Sequence, residues 1–445
     1  MNYNIFRMNA EEPLTAKKLQ GFINKNRQIS TERYDKLIGA YRNDYEIYHM
    51  QKKPDNKPDN RLSVNFAKYI TDTFNGFFVG VPIKVQCDDA RVNSYINELN
   101  AYNNLDDQNS ERSKISSIYG RAYEMYYVDS NNKIGITYLA PNEAFMIYDD
   151  SVLTRPLYFV RYYYDSDDVM HGSVSDRQKV MYFQSQGTLK FVEDRENAGK
   201  VHGFNGVPAV ETIENEERIG LYEGALPMMN EYNKALSEKA NDIDYFADAY
   251  MKVLGPDLSK EELYGVRDNR VINIPATDGI NGDAEFMAKP NADTSQENML
   301  DRLERQIFVT CMVANINDEN FDAASGQAMR FRLSIMSNKA KEKERKFTAA
   351  LYERYKLIFS NPISKMAKDD WMKINFVFTQ NYPVNLTDEA DIAQKLKGIV
   401  SNETLLGQLS FVDDVKAELE RMEKETDALA YQTDYETART TITDE

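Results

Sequence analysis

Between Leu221 and Val253 the apolar side chains Leu221, Ala225, Met228, Tyr232, Leu236, Ile243, Phe246, Tyr250 and Val253 recur mostly three, four or seven residues apart. That spacing traces one stripe along a helix of about thirty residues, on the order of 50 Å at 1.5 Å per residue. Glu231, Lys234, Glu238, Lys239, Asp242 and Asp248 occupy the opposite face. Pro227 predicts a kink or a helix start, and Gly255-Pro256 a stop. A second stripe, Leu300, Leu303, Ile307, Cys311 and Ala314, predicts another long helix over 294–316. Between the two lies a compact insertion of short strands and turns. Its strands are Val271-Ile272-Asn273-Ile274-Pro275 and Ala284-Glu285-Phe286-Met287, with Asp278-Gly279 and Asn281-Gly282 as turns.

The rest of the chain fills out a mainly helical α+β fold. Residues 14–26 and 31–49 read as helices, the second carrying Tyr34, Leu37, Ile38, Tyr41, Tyr45 and Tyr48 at steps of three and four. Residues 51–60 form a loop, 66–78 a helix, 83–86 a short strand and 93–119 a polar helix. From 122 to 213, aromatic and β-branched runs alternate with turn clusters, which predicts antiparallel β structure. A third long helix runs from 328 to about 359. Residues 329–356 hold nine Lys or Arg against three Glu, a local excess of six positive charges. Residues 371–380 alternate Ile374, Phe376 and Phe378 with polar residues and read as a strand; 388 to the 420s read as amphipathic helix. The last 35 residues hold eleven acids and four bases.

That basic run stands out because the whole chain is acidic. Its 445 residues carry 71 acidic and 54 basic side chains, a formal charge of −17. The balance argues against gripping nucleic acid with the whole surface, which needs clustered Lys and Arg. Lys339, Lys341, Lys343, Arg345 and Lys346 fit either a solvated helix face or a surface turned toward nucleic acid or an acidic neighbouring subunit. Hydrophobic residues make up 42%, ample for a core. Cys87 and Cys311 are too few for a disulfide scaffold, and the opening ten residues lack a secretory pattern, so a reducing cytoplasm is expected. No apolar stretch is long enough for a membrane span.

Catalytic and metal signatures do not emerge. His49, His171 and His202 are isolated in different segments. Walker A, G-x-S-x-G and Cys–His signatures are absent. Asp318-x-Asn320-x-Asp322 begins like a calcium loop, but Ala323 and Met329 stand where Gly and Glu are needed. No enzyme activity, cofactor or metal is expected.

Three blocks carry a family resemblance. The first is Asn60-Arg61-Leu62-Ser63-Val64-Asn65-Phe66, continuing through Asn75-Gly76-Phe77-Phe78-Val79-Gly80-Val81-Pro82-Ile83. The second spans 226–255 and includes Asn241-Asp242-Ile243-Asp244-Tyr245-Phe246. The third runs from Phe321-Asp322-Ala323-Ala324-Ser325-Gly326 into the helix with Asn338-Lys339-Ala340-Lys341. Together, and in this order, they resemble the portal proteins of long-tailed phages that infect Gram-positive bacteria.

The resemblance implies a portal fold. Its parts would be a wing (1–220), a first stem helix (221–254), a clip (255–293), a second stem helix (294–316), a tunnel loop (317–327), a long kinked helix with a wing strand (328–386), and a helical crown with an acidic tail (387–445). It implies a homo-oligomeric ring of about twelve copies at one capsid vertex. Double-stranded DNA would pass through it, without sequence specificity, during packaging and ejection. In the tunnel loop, Asn317, Asp318, Asn320, Asp322, Ser325, Gly326 and Gln327 are the expected channel residues. Arg330, Arg332, Lys339, Lys341, Lys343, Arg345 and Lys346 are the expected DNA- or subunit-facing cations. Implied partners are the terminase large subunit, major capsid and scaffold proteins, and a head-completion adaptor, with no membrane. The expected location is the virion, and the host cytoplasm during assembly. Another structural head component, such as a minor capsid or scaffold protein, is the alternative; a hydrolase or nuclease is a third class.

Overall fold

The computed structural model describes residues 5–54, 57–192, 199–247, 251–254, 283–286, 293–316, 333–381, 386–407 and 418–425, with 409, 412 and 415. They fall into two units. One comprises 1–315 and 335–380, the other 316–334 and 381–445.

The larger unit opens with strand β1 (Phe6–Met8) and helix α1 (Ala16–Ile29), whose first turn is capped by Thr15 Oγ1 accepting from Lys18 N. A π-helical turn (Ser30–Tyr34) joins α1 to α2 (Asp35–Tyr41). The helix expected over 31–49 is therefore interrupted. Asn43 takes φ 66°, and the amides of Asp44 and Asn43 close back on the carbonyls of Gly39 and Ala40. This is a Schellman stop, with Asn in the left-handed position that glycine usually fills. Helix α3 (Glu46–His49) follows.

Helix α4 (Phe66–Val79) matches its expected span and is capped by Asn65. Strand β2 (Lys84–Cys87) leads to α5 (Ala90–Asn103) and α6 (Leu105–Tyr119). These two were expected as one helix; Asn104, at φ 50°, divides them.

The region expected to be antiparallel β is so. Its strands are β3 (Arg121–Val128), β4 (Ile134–Leu139), β5 (Ala144–Asp149), β6 (Pro156–Tyr164), β7 (Met170–Ser175), β8 (Lys179–Ser185), β9 (Leu189–Phe191), β10 (Lys200–Val201) and β11 (Ala209–Ile213). One sheet runs β1-β5-β6-β7-β8-β10 with β9 also on β8; the other runs β11-β3-β4. Only its first pair, β1 on β5, is parallel. Helix α1 covers one face of the larger sheet, packing Leu19 and Ile23 against Phe145, Val160, Tyr162 and Phe183.

Helix α7 (Leu226–Ala247) begins at Leu226, so Pro227 lies in the first turn, where its missing N–H costs no hydrogen bond. The helix expected to reach 254 ends sooner. Met251–Leu254 is strand β12, paired antiparallel with β13 (Asp283–Phe286). The expected strand at 271–275 lies outside the described residues. Helix α8 (Asp293–Cys311) follows and packs on α7. Helix α9 (Ser334–Ser360) and strand β14 (Ile374–Val377), paired with β2, complete the unit. The second core gathers Ile96 and Leu99 of α5, Tyr126 of β3, Ile136 of β4 and Tyr355 and Ile358 of α9.

In the smaller unit the described helices include α10 (Leu386–Leu396) and α11 (Asn402–Leu406), the latter capped by Ser401 Oγ accepting from Thr404 N, and residues 418–425 are helical as well.

Candidate functional site

The basic helix α9 divides its charges between solvent and core. Its buried positions include Met336, Ser337, Ala340, Lys343, Phe347, Ala350, Leu351, Arg354, Tyr355 and Ile358, recurring mostly at steps of three and four, with Leu357 and Phe359 buried as well at its C-terminal end. Lys343 and Arg354 therefore sit on the core stripe. Such charges persist in a core only when paired and hydrogen-bonded.

Lys343 meets that requirement fully. Its Nζ is 2.7 Å from Glu214 Oε2 and donates to Ser117 Oγ at 2.7 Å and to the Ser113 carbonyl at 2.9 Å. It lies 5.4 Å and 5.5 Å from the ring centroids of Phe78 and Phe74. Burial pushes its pKa down despite the Glu214 carboxylate beside it. This corrects the expectation that Lys343 faces DNA or a neighbouring subunit: its ammonium is consumed inside its own chain.

Arg354 and Arg112 share one carboxylate. Arg354 donates through Nε to Glu124 Oε2 at 3.0 Å and through Nη2 to Asn109 Oδ1 at 2.6 Å. Arg112 Nη1 bonds the same Glu124 Oε2, with its guanidinium 4.3 Å from the Phe347 ring centroid. Burial alone would raise the Glu124 carboxyl, but the two guanidiniums outweigh it and hold it below its ordinary range. Burial pulls Arg112 down to about 10, still charged at neutral pH. A third cluster sits beside these: Arg218 grips Glu211 with two bonds of 3.0 Å, and Tyr148 Oη donates to the same carboxylate.

The remaining cations of α9 lie nearer solvent. Lys346 pairs with Glu216 at 2.5 Å and Lys356 with Glu353 at 3.0 Å. Lys341 and Arg345 are exposed and Lys339 half-buried. Among the described residues no ion pair within 4 Å engages these three. Arg330, Arg332 and the tunnel-loop residues Asn317, Asp318, Asn320, Asp322, Ser325, Gly326 and Gln327 lie outside the described residues.

The paired helices α7 and α8 form the other distinctive element. On α7 the buried line is Met229, Asn233, Ser237 and Asn241, one face over from the expected apolar stripe. Three of these four are polar because they read a backbone. The amides of Val64, Leu62 and Asn60 donate to Asn233 Oδ1, Ser237 Oγ and Asn241 Oδ1 at 2.8, 2.9 and 2.6 Å. The match is geometric: four residues of helix rise about 6.0 Å, and two residues of extended chain about 6.6 Å. Residues 60–64 thus form a strap along α7. Phe66, where the strap enters α4, is wedged between Tyr232 of α7 and Phe308 of α8, at centroid distances of 4.9 and 6.0 Å. One member of the expected α7 stripe stays open, Ile243 at 62% exposure; on α8 the expected Leu300, Ile307 and Cys311 are buried, while Met299 and Val309, outside that stripe, are 51% and 61% exposed.

Sequence reasoning missed Arg112, Glu124, Glu214 and Arg354. The available signal was charge at core-period positions on α6 and α9. Among the described residues, no three His, Cys, Asp or Glu side chains gather as metal ligands, and no helix is long and apolar enough to cross a membrane.

Comparison with known proteins converges on one family. The family model described as "Phage portal protein, SPP1 Gp6-like" matches residues 20–430. The portal protein of Bacillus phage SPP1 is 22% identical over 411 residues, covering 87% of this chain and 80% of the relative. The portal protein of Clostridium phage phiCD119 is 23% identical over 420 residues, covering 87% and 90%. A chain from the solved neck of an empty GTA particle is similar over 76% of this chain and 88% of its own, at 11% identity and a TM-score of 0.45.

Proposed function

The chain belongs to the phage portal protein family, and from that premise we propose that its ring is the conduit through which double-stranded viral DNA is packaged and later ejected. As a portal protein it is a virion component at the capsid vertex and a subunit of a homo-oligomeric ring in the head–tail connector. The observation that carries the reading is the family match, which spans 20–430 and leaves few residues outside it.

In this reading the ring holds about twelve subunits, and each side chain facing the axis repeats as a belt. Acidic belts repel phosphate and keep DNA from sticking, while a few basic belts make weak, salt-sensitive contacts. The chain itself carries no catalytic activity. A terminase large subunit docks on the ring and supplies the work of packaging, and a head-completion adaptor replaces it afterwards. Major capsid and scaffold proteins are its partners during assembly in the host cytoplasm.

Electron microscopy of the purified protein tests the ring, with rings of about twelve or thirteen subunits around an axial hole expected. Monomers at every concentration would overturn the proposal. The segment resembling the tunnel loop has its own test. Deleting Asp322 to Gly326 is expected to leave rings intact and to impair packaging or retention of DNA; normal packaging would remove that assignment.

A further inference from the structure

The loop joining β5 to β6 carries an unusual pair of side chains. Val152 is 100% exposed and Leu153 68% exposed. Single exposed apolar residues are ordinary, but here two neighbours stand at the tip of a pinned turn. Asp149 Oδ1 accepts from Ser151 Oγ and from Arg155 N, both at 2.8 Å. The Asp149 amide donates to the Arg155 carbonyl at 2.9 Å, and Thr154 N to the Ser151 carbonyl at 3.1 Å. Thr154 is held at φ 47°. The tip is preorganised, so seating it in a partner loses little conformational entropy.

A receptor of matching character lies on the other half of the same sheet. The face of β6, β7 and β8 that α1 does not cover floors an open groove of about 980 Å³, walled by β3 and β10. Tyr127, Tyr163 and Tyr182 line it and remain 44%, 50% and 39% exposed. Gly135 leaves room for the Tyr127 ring, since a Cβ there would lie 2.4 Å from its Cζ. Arg161 and Lys200 place two cations in the groove against one carboxylate, Asp129, which already accepts from Tyr102 Oη and the Lys133 amide, and exposed Asp150 stands beside the apolar tip.

Tyr163 lies seven residues along β6 from Pro156, about 23 Å at 3.3 Å per residue, and the turn is tied to its root by Asp149, so the tip does not reach the Tyr163 end of the groove in its own chain. A knob at one place and a receptor at another, on one chain, is the arrangement of a heterologous interface, which closes into a ring when the rotation permits. We propose that Val152 and Leu153 of one subunit seat in the tyrosine-lined groove of the next copy around the ring, with Asp150 facing Arg161 and Lys200. The proposal rests on the ring reading above and adds which surfaces meet.

The test uses the full chain with cysteines at the two ends of the contact. In the Val152→Cys/Tyr182→Cys and Val152→Cys/Tyr163→Cys variants, oxidation or a short bismaleimide linker is expected to give a ladder of covalent oligomers. The single variants, which retain Cys87 and Cys311, are expected to give none. Rings seen by microscopy but without a ladder from either variant would overturn the seating and leave the portal reading standing. Failure of the wild-type chain to form rings would overturn both. A second arm uses Leu153→Asp, with folding checked by circular dichroism. Half-assembly is expected at about tenfold higher subunit concentration, the scale of losing one interface anchor. A folded Leu153→Asp protein that assembles like wild type would also overturn the proposal.

Discussion

Lys343 on α9 and Glu214, the residue after β11, form an ion pair at 2.7 Å with both side chains 1% exposed. The pair joins the long helix to the end of the smaller sheet through the middle of the protein. Its geometry makes single and paired removal differ sharply. Lys343→Met leaves a carboxylate buried without a counter-charge, and Glu214 Oε1 already has no hydrogen-bond partner. Breaking such a pair costs about 3–5 kcal/mol. Replacing both residues, Lys343→Met with Glu214→Leu, is expected to recover most of that loss. Urea unfolding of the three proteins measures the difference. A Lys343→Met cost below about 1 kcal/mol would show that the ammonium is solvated.

The shared carboxylate of Glu124 sets a pH dependence. Its folded pKa lies below the ordinary glutamate value of 4.5 because two guanidiniums outweigh the effect of burial. Between that lowered value and 4.5 the unfolded chain binds the extra proton, so stability rises with pH through the window. The contribution is complete above about 4.5 and is lost as pH falls through the folded value. Glu211 behaves alike, with burial overcome by Arg121 and Arg218. Unfolding free energy is expected to fall steeply below pH 4.5 or so, and Glu124→Gln to flatten that fall while destabilising the protein at neutral pH. An unchanged acid slope in Glu124→Gln would count against the network.

Ser237 Oγ accepts from Leu62 N at 2.9 Å, while its single proton lies between the Asn233 carbonyl at 2.7 Å and the Leu62 carbonyl at 3.1 Å. Ser237→Ala strands the Leu62 amide beside a helix and is expected to cost about 1–3 kcal/mol. The loss is local, so hydrogen exchange resolves it best. The Leu62 and Val64 amides are expected to exchange faster while Leu19 and Ile23 in α1 keep their protection. Uniform loss of protection would indicate global destabilisation instead.

These relationships explain what was legible in the sequence. Helix α4 was, because Phe66, Ile70, Phe74 and Phe77 repeat at helical spacing and all face inward. The antiparallel region was, because aromatic and β-branched runs alternate with turns. The buried charges were not. Lys343 and Ser113 are 230 residues apart, as are Arg354 and Glu124, and no local pattern announces a partner at that distance. Polar composition misled on α6, whose Asn109, Arg112, Ser113 and Ser116 are all buried. On α7 the apolar stripe was real but lay beside the line that packs, because Asn233, Ser237 and Asn241 hold backbone rather than hydrocarbon. The stop after Tyr41 was written in Asn43, a residue that tolerates left-handed backbone.

With Lys343 and Arg354 committed to the core, the cations of α9 able to meet DNA reduce to a small exposed set headed by Lys341 and Arg345. Both lie off the buried stripe, so Lys341→Gln and Arg345→Gln are expected to change unfolding free energy by no more than about 0.5 kcal/mol. If they touch phosphate in the ring, each lost contact reduces the slope of log affinity against log salt by about 0.9. Filter binding of duplex DNA to purified rings across a salt series measures that slope. The sequence of the duplex should not matter, because phosphate contacts carry no base information. The informative control is Lys346→Gln, which removes a cation already held by Glu216 at 2.5 Å. It is expected to leave the salt slope unchanged. An equal drop for all three variants would show that general electrostatics of the helix, not specific phosphate contacts, governs DNA binding. No drop for Lys341→Gln or Arg345→Gln would remove α9 from the channel surface.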